Sequence, residues 1–165
     1  MTTSELALLD TNVLVNAVFE NSEHFAAARA LVDRGKNSAA GFRLLPQNVT
    51  EFYAVVTNPK RVTTPKSPAE ALSAIRNFLA LSGIALLPVP TDVVSRLLTL
   101  LERRSVTRGK VHDVHLIAAM LGNGITRIYT LNRDDFVPFP ELEVIVPTIG
   151  EPEPNPATQR SSDEG

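Results

Sequence analysis

Four acidic positions stand where side chains could do chemistry together. Asp10 ends an apolar run over residues 6–9, Glu51 follows Val49-Thr50, Asp113 falls on the stripe of Leu116, Ile117 and Met120, and Asp134 or Asp135 follows the strand that ends at Leu131. The chain has no cysteine, so disulfides and thiolate metal sites are excluded and only His and carboxylates remain as strong ligands. Carboxylates gathered in one place raise one another's pKa unless a cation neutralises them, and an all-oxygen donor set selects magnesium or manganese. Such a cluster activates water and holds a phosphodiester for in-line displacement. Each acid also has a structural reading. Asp10 and Asp113 are placed to cap helices, Glu51 sits off its helix's apolar stripe and reads alone as a surface residue, and at least one of Asp134 and Asp135 reads as loop solvation. Asp113 is the hardest to set aside, because a carboxylate on a buried stripe is costly unless a charge or hydrogen bonds satisfy it. His112 and His115 share a helix face, but two ligands without a third point to packing or support rather than to a metal pair.

The elements that must position these acids are legible from periodicity. Residues 6–9 read as a short buried strand. An amphipathic helix spans residues 22–34, with Phe25, Ala28, Leu31 and Val32 inward and Gly35 as its stop. A strand at 42–45 leads to a helix opened by Pro46, whose stripe is Val49, Phe52, Tyr53 and Val56 before Asn58-Pro59. Ser67-Pro68-Ala69-Glu70 is a capping box, heading a helix with Leu72, Ile75, Phe78 and Leu79 as its core face. A strand at 84–87 precedes a helix over 92–104 with Val93, Val94, Leu97, Leu98 and Leu101 inward. A helix at 112–121 closes on Gly122-Asn123-Gly124, and strands follow at 127–131 and 142–146. Alternating strands and helices predict an α/β fold: a three-layer sandwich with a central, mostly parallel sheet flanked by helices. In such sheets ligands bind outside the carboxyl ends of the strands, where Asp10 and the 132–135 segment fall.

Length and composition fit that architecture. A chain of 165 residues with 44% apolar and 21% charged residues is a soluble globular domain, expected over residues 1–149, with a core that buries roughly two-thirds of the unfolded surface. Residues 150–165, rich in proline and polar side chains, read as a disordered tail. No apolar run approaches the ~18 residues of a membrane helix, and no secretory signal is readable, so a cytoplasmic location is expected. The net charge of −2 hides an asymmetry. Without the tail's four acids and one base, 15 basic residues face 14 acidic ones, and setting aside the four site acids leaves a mildly basic body.

The residues also carry a family resemblance. Leu8-Leu9-Asp10-Thr11-Asn12-Val13-Leu14 resembles the opening motif of PIN domains, and Val49-Thr50-Glu51-Phe52 their second acidic motif. His112-Asp113-Val114-His115-Leu116-Ile117-Ala118-Ala119 resembles the third, and Thr130-Leu131-Asn132-Arg133-Asp134-Asp135-Phe136 the fourth. The resemblance covers about residues 6–147 and implies the VapC branch, magnesium- or manganese-dependent endoribonucleases that are the toxins of toxin–antitoxin pairs. Carried over residue by residue, it implies Asp10, Glu51 and Asp113 as catalytic, metal-holding acids and Asp135 as the fourth, with Asn132 assisting it by hydrogen bond. Thr11 and Asn12 match the positions that buttress the first acid. It also implies cleavage to 5′-phosphate and 3′-hydroxyl ends, a VapB-like antitoxin partner and a homodimer. Arg103, Arg104, Arg108 and Lys110, just ahead of Asp113, are then candidate RNA-phosphate contacts, with Lys60 and Arg61 weaker ones. The alternatives are a non-catalytic PIN-like module that binds RNA or antitoxin, and a haloacid-dehalogenase-like phosphatase. The phosphatase needs an acid two residues after its nucleophile, where this chain has Asn12.

Overall fold

The computed structural model describes residues 6–150; the expected tail, apart from Gly150, lies outside the described residues. Five short strands form one sheet: β1 Ala7–Leu9, β2 Phe42–Leu44, β3 Ile84–Leu86, β4 Arg127–Tyr129 and β5 Glu143–Ile145. Their order is β3-β2-β1-β4-β5, and every pairing is parallel. The helices are α1 Thr11–Asn16, α2 Phe25–Arg34, α3 Pro46–Val56, α4 Pro68–Ala80, α5 Val93–Arg103, α6 Lys110–Gly122 and the single turn α7 Arg133–Phe136. The expected α/β sandwich is the observed one.

Strand side chains alternate across the sheet, and the central strand β1 feeds both layers. Ala7 and Leu9 join one core with Val13, Leu31, Val32, Phe42, Leu44, Phe52 and Phe78. Leu8 points into the other, with Val114, Leu116, Ile117, Met120, Ile125, Ile128 and Phe136. Edge-to-face ring contacts, Phe52 on Phe78 and Phe42 on Tyr129, stiffen the first core. Gly83 admits β3 to the sheet edge: a Cβ there would stand 2.1 Å from the Asn37 carbonyl oxygen.

Two stripes are narrower than the periodicity predicts. Leu72 and Leu79 of α4 are 44% and 38% exposed, and Val94 and Leu98 of α5 are 61% and 55% exposed. These outer helices meet the rest of the molecule along one side only, through Ala71 and Phe78 on α4 and through Val93 and Leu100 on α5. Their apolar arcs are wider than that contact.

The sheet order is what makes a site. From β1 the chain steps outward to β2 and β3, then returns to the other side of β1 as β4 and steps on to β5. The carboxyl ends of β1 and β4 therefore lie side by side at the point where the order reverses, with a crevice outside them.

Candidate active site

The crevice is a cleft of about 780 Å³ lined by Asp10, Glu51, Asp113 and Asp135, together with Thr11, Asn12, His112 and Asn132. Four acids far apart in sequence thus face one space from four elements: the end of β1, the middle of α3, the first turn of α6, and α7. The cleft continues along α3 past Ala54 and Val55 to Arg61, Thr63 and Thr64, and opposite them to Asn16, Phe19, Asn21 and Ser22.

Asp10 is the most constrained of the four. It caps α1, accepting the Thr11 amide on Oδ1 at 2.8 Å. Its Oδ2 accepts the Thr130 hydroxyl at 2.8 Å and the Asn12 side-chain amide at 3.1 Å. The cap reading and the site reading of Asp10 are therefore compatible. Asn12 also accepts the Leu131 amide at 3.1 Å, so it stitches β1 to the loop after β4. Glu51 is held by both oxygens: Thr11 donates its hydroxyl to Oε2 at 3.0 Å and Gln47 its amide to Oε1 at 2.9 Å. Thr11 is itself fixed by the buried Asn48, whose Nδ2 donates to the Thr11 hydroxyl at 3.3 Å while its Oδ1 accepts the Leu45 amide at 2.8 Å.

Asp113 lies half-buried in the first turn of α6, and Asp135 is bound by Lys110 Nζ at 2.9 Å. The contact between Asn132 and Asp135 is made by the backbone: the Asp135 amide donates to the Asn132 carbonyl at 3.2 Å, while the Asn132 side chain is exposed and caps nothing. Asp134 is exposed. Of the basic stretch, only Lys110 reaches a cleft carboxylate. Arg103 pairs with Glu141 at 3.4 Å, Arg104 lies over the Phe139 ring, and Arg108 is exposed in a left-handed backbone conformation, with φ 57°. Arg61 lines the cleft, and its side chain has no partner among the described residues.

The electrostatics ask for a cation. Burial pushes the Asp10 carboxyl up to about 6, against hydrogen bonds from Thr130 and Thr11 that lower it, and the charges of Asp113 and Glu51 add to the rise. Burial likewise raises Asp113 to about 6, helped by Asp135 and Glu51 and partly offset by Lys110 and His112. Lys110 is held above its usual pKa by Asp135. Among the described residues no three His, Asp or Glu side chains close into an ion's shell by themselves. The cleft's all-oxygen donors are of the type that hard divalent cations take, with waters completing the shell. The donor set and the mutual repulsion fit a divalent cation of this kind.

Three groups in this machinery are not singled out by motif reading. Thr130 is fully buried and holds Asp10; its signal is a hydroxyl at the very end of a β-branched strand. Asn48 lies on the stripe that α3 buries, with Phe52 and Val56, where an amide is out of place unless it bonds something. Gln47, one turn before Glu51, carries no distinguishing signal in the sequence.

The PIN domain family model matches residues 7–142. Among solved structures, a sarcin–ricin-loop-cleaving VapC toxin of Mycobacterium tuberculosis aligns with TM-score 0.61 at 15% identity, over 81% of this chain and 95% of that one. A promoter-DNA-bound VapBC complex of Rickettsia felis aligns with TM-score 0.61 at 18% identity, over 87% and 99%. A DNA-bound VapBC of Salmonella typhimurium aligns with TM-score 0.60 at 15% identity, over 86% and 97%. At these identities the likeness is one of fold. No curated protein sequence matches the chain.

Proposed function

The chain belongs to the PIN domain family, and from that membership we propose that it is a divalent-metal-dependent endoribonuclease, the toxin of a VapBC-type pair, built as a single domain over residues 1–149. The observation that carries this reading is the convergence of Asp10, Glu51, Asp113 and Asp135 on one cleft at the sheet's switch point. A bound Mg2+ or Mn2+ would supply charge neutralisation at the phosphodiester and activation of the attacking water. Asp10, Glu51 and Asp113 are the residues to hold it, with Asp135 beside them.

The chain's own groups then have distinct tasks. Asp10, fixed by three hydrogen bonds, presents a carboxylate that needs no reorganisation when a cation arrives, and this preorganisation is where a buried site gains most. Glu51 is oriented from both sides by Thr11 and Gln47. Asp113, whose proton affinity burial and the neighbouring acids raise in the metal-free protein, is a carboxylate that a bound cation would hold ionised. Lys110 holds one oxygen of Asp135, Oδ1, and a phosphate or a cation at the site would compete for that contact. Arg61 offers an unpaired guanidinium to the substrate backbone along the cleft.

A VapB-like antitoxin is the proposed protein partner, in keeping with structural neighbours that are VapBC complexes. A homodimer acting in the cytoplasm completes the reading; no helix of the described residues is long and apolar enough to cross a membrane. The phosphatase alternative loses its footing in the Asn12 amide, which donates to Asp10 and so cannot be the second acid that chemistry needs. RNA incubated with Mg2+ or Mn2+ should be cut by the wild type, leaving 5′-phosphate ends, and not by Asp10→Asn. Cleavage in EDTA, or full activity in Asp10→Asn, would overturn the nuclease reading; RNA or antitoxin binding without cleavage would favour the non-catalytic module.

A further inference from the structure

We propose that Gln47 and His115 form a positioning pair that sets Glu51 against Asp113 by bracing α3 on α6. The proposal deepens the nuclease reading and rests on Glu51 as a metal-holding acid. Gln47 makes three contacts. Its Nε2 donates to Glu51 Oε1 at 2.9 Å and to the carbonyl oxygen of His112 at 2.9 Å, and its Oε1 lies 2.9 Å from Nδ1 of His115.

The orientation of this amide is forced. Turned over, its oxygen would face a carboxylate oxygen and a carbonyl oxygen with no proton between them, and its nitrogen would have no hydrogen-bond acceptor unless His115 gave up Nδ1–H. With both Nε2 hydrogens committed, Oε1 can only accept, so His115 must donate from Nδ1. The imidazole therefore holds the amide, the amide holds the carboxylate, and the His112 carbonyl ties the same amide to the residue next to Asp113. No other side-chain hydrogen bond among the described residues joins α3 to α6. Thr11 alone, on the opposite oxygen, would leave Glu51 free to swing toward α6 or away from it.

This makes Gln47 and His115 positioning residues. Groups behind a ligand that fix its orientation typically change metal affinity or activity by about 10–100-fold when removed. Gln47→Leu keeps the side chain's bulk and abolishes all three contacts. His115→Phe removes the donor, and His115→Asn restores an N–H near the place of Nδ1. Mn2+ binding to the full chain, followed by electron paramagnetic resonance, should weaken about tenfold or more in Gln47→Leu. It should weaken less in His115→Phe and return close to wild type in His115→Asn. The double variant Gln47→Leu/His115→Phe should be no worse than Gln47→Leu, because the histidine acts through the amide.

A readout independent of metal is the ring tautomer of His115 in the metal-free protein, which nitrogen NMR should show as Nδ1–H. An Nε2–H tautomer would overturn the proposal, as would unchanged Mn2+ affinity in Gln47→Leu while Asp10→Asn loses binding. If Asp10→Asn binds Mn2+ as the wild type does, the cation-site reading itself fails, and this proposal fails with it.

Discussion

Replacing Thr130 by valine removes one hydroxyl from a fully buried position at almost constant volume. The hydroxyl donates to Asp10 Oδ2 at 2.8 Å and accepts the Asn132 amide at 3.0 Å and the Asn12 amide at 3.2 Å. A hydrogen bond to a charged group is worth about 1.5–3 kcal/mol, and the stranded Asn132 amide adds roughly 1 kcal/mol more. Stability at about pH 8, where Asp10 is ionised, should therefore fall by about 3 kcal/mol, or roughly 6–12 °C in Tm for a chain of this size. The loss depends on pH with a definite sign. Asp10 holds its proton more tightly folded, near 6, than at the ordinary 3.8, so it subtracts stability as pH climbs between those values and nothing further above them. Removing a bond that favours the ionised form raises the folded value again, by about 1–1.5 pH units, and extends the decline toward about pH 7–8. At about pH 5 the proton is already on, and the variant should lose only about 1 kcal/mol. Urea denaturation in EDTA at the two pH values measures both losses. Equal losses would refute the claim that Thr130 bonds an ionised, buried Asp10.

Other outcomes follow from the same structure. Because Asp10 and Asp113 are both raised to about 6, metal-free protein should lose stability as pH rises from about 4 to about 6, by about 3 kcal/mol from Asp10 alone, and Mg2+ should raise Tm more at about pH 7.5 than at about pH 5; calorimetry with and without Mg2+ reads this, and a metal effect independent of pH would count against it. Arg61→Ala should weaken RNA binding and reduce the slope of log affinity against log salt by about 1, whereas Arg103→Ala, whose guanidinium pairs with Glu141, should change neither; filter binding at graded salt separates them. Gly83→Ala should cost about 1–3 kcal/mol, since the new methyl would meet the Asn37 carbonyl oxygen, and denaturant midpoints report it.

The architecture was legible where one local rule decided it. The capping box at Ser67 and Glu70 is present, with the Glu70 carboxylate accepting the Ser67 amide at 2.7 Å, and the continuous apolar run at residues 6–9 correctly marked a strand buried on both faces. Periodicity failed on Leu72, Leu79, Val94 and Leu98 because it marks which side of a helix is apolar and not how much of that side its neighbours cover. Acids that end strands or open helices were found for the same reason that they could be misread as caps: Asp10 does both jobs. Glu51 required the fold, since nothing on α3 itself distinguishes it from a surface residue. The supporting groups were harder still. Gln47 reaches Glu51 one turn on, but its contact with His112 and that of Thr130 with Asp10 span 65 and 120 positions, and no local pattern encodes them.

The central claim concerns a cation between carboxylates that repel one another without it. Crystals of the full chain grown with Mn2+ should show an anomalous difference peak in the cleft within bonding distance of Asp10 and of Glu51 or Asp113. A cleft without a peak at millimolar Mn2+, or a manganese bound only elsewhere on the surface, would contradict the account.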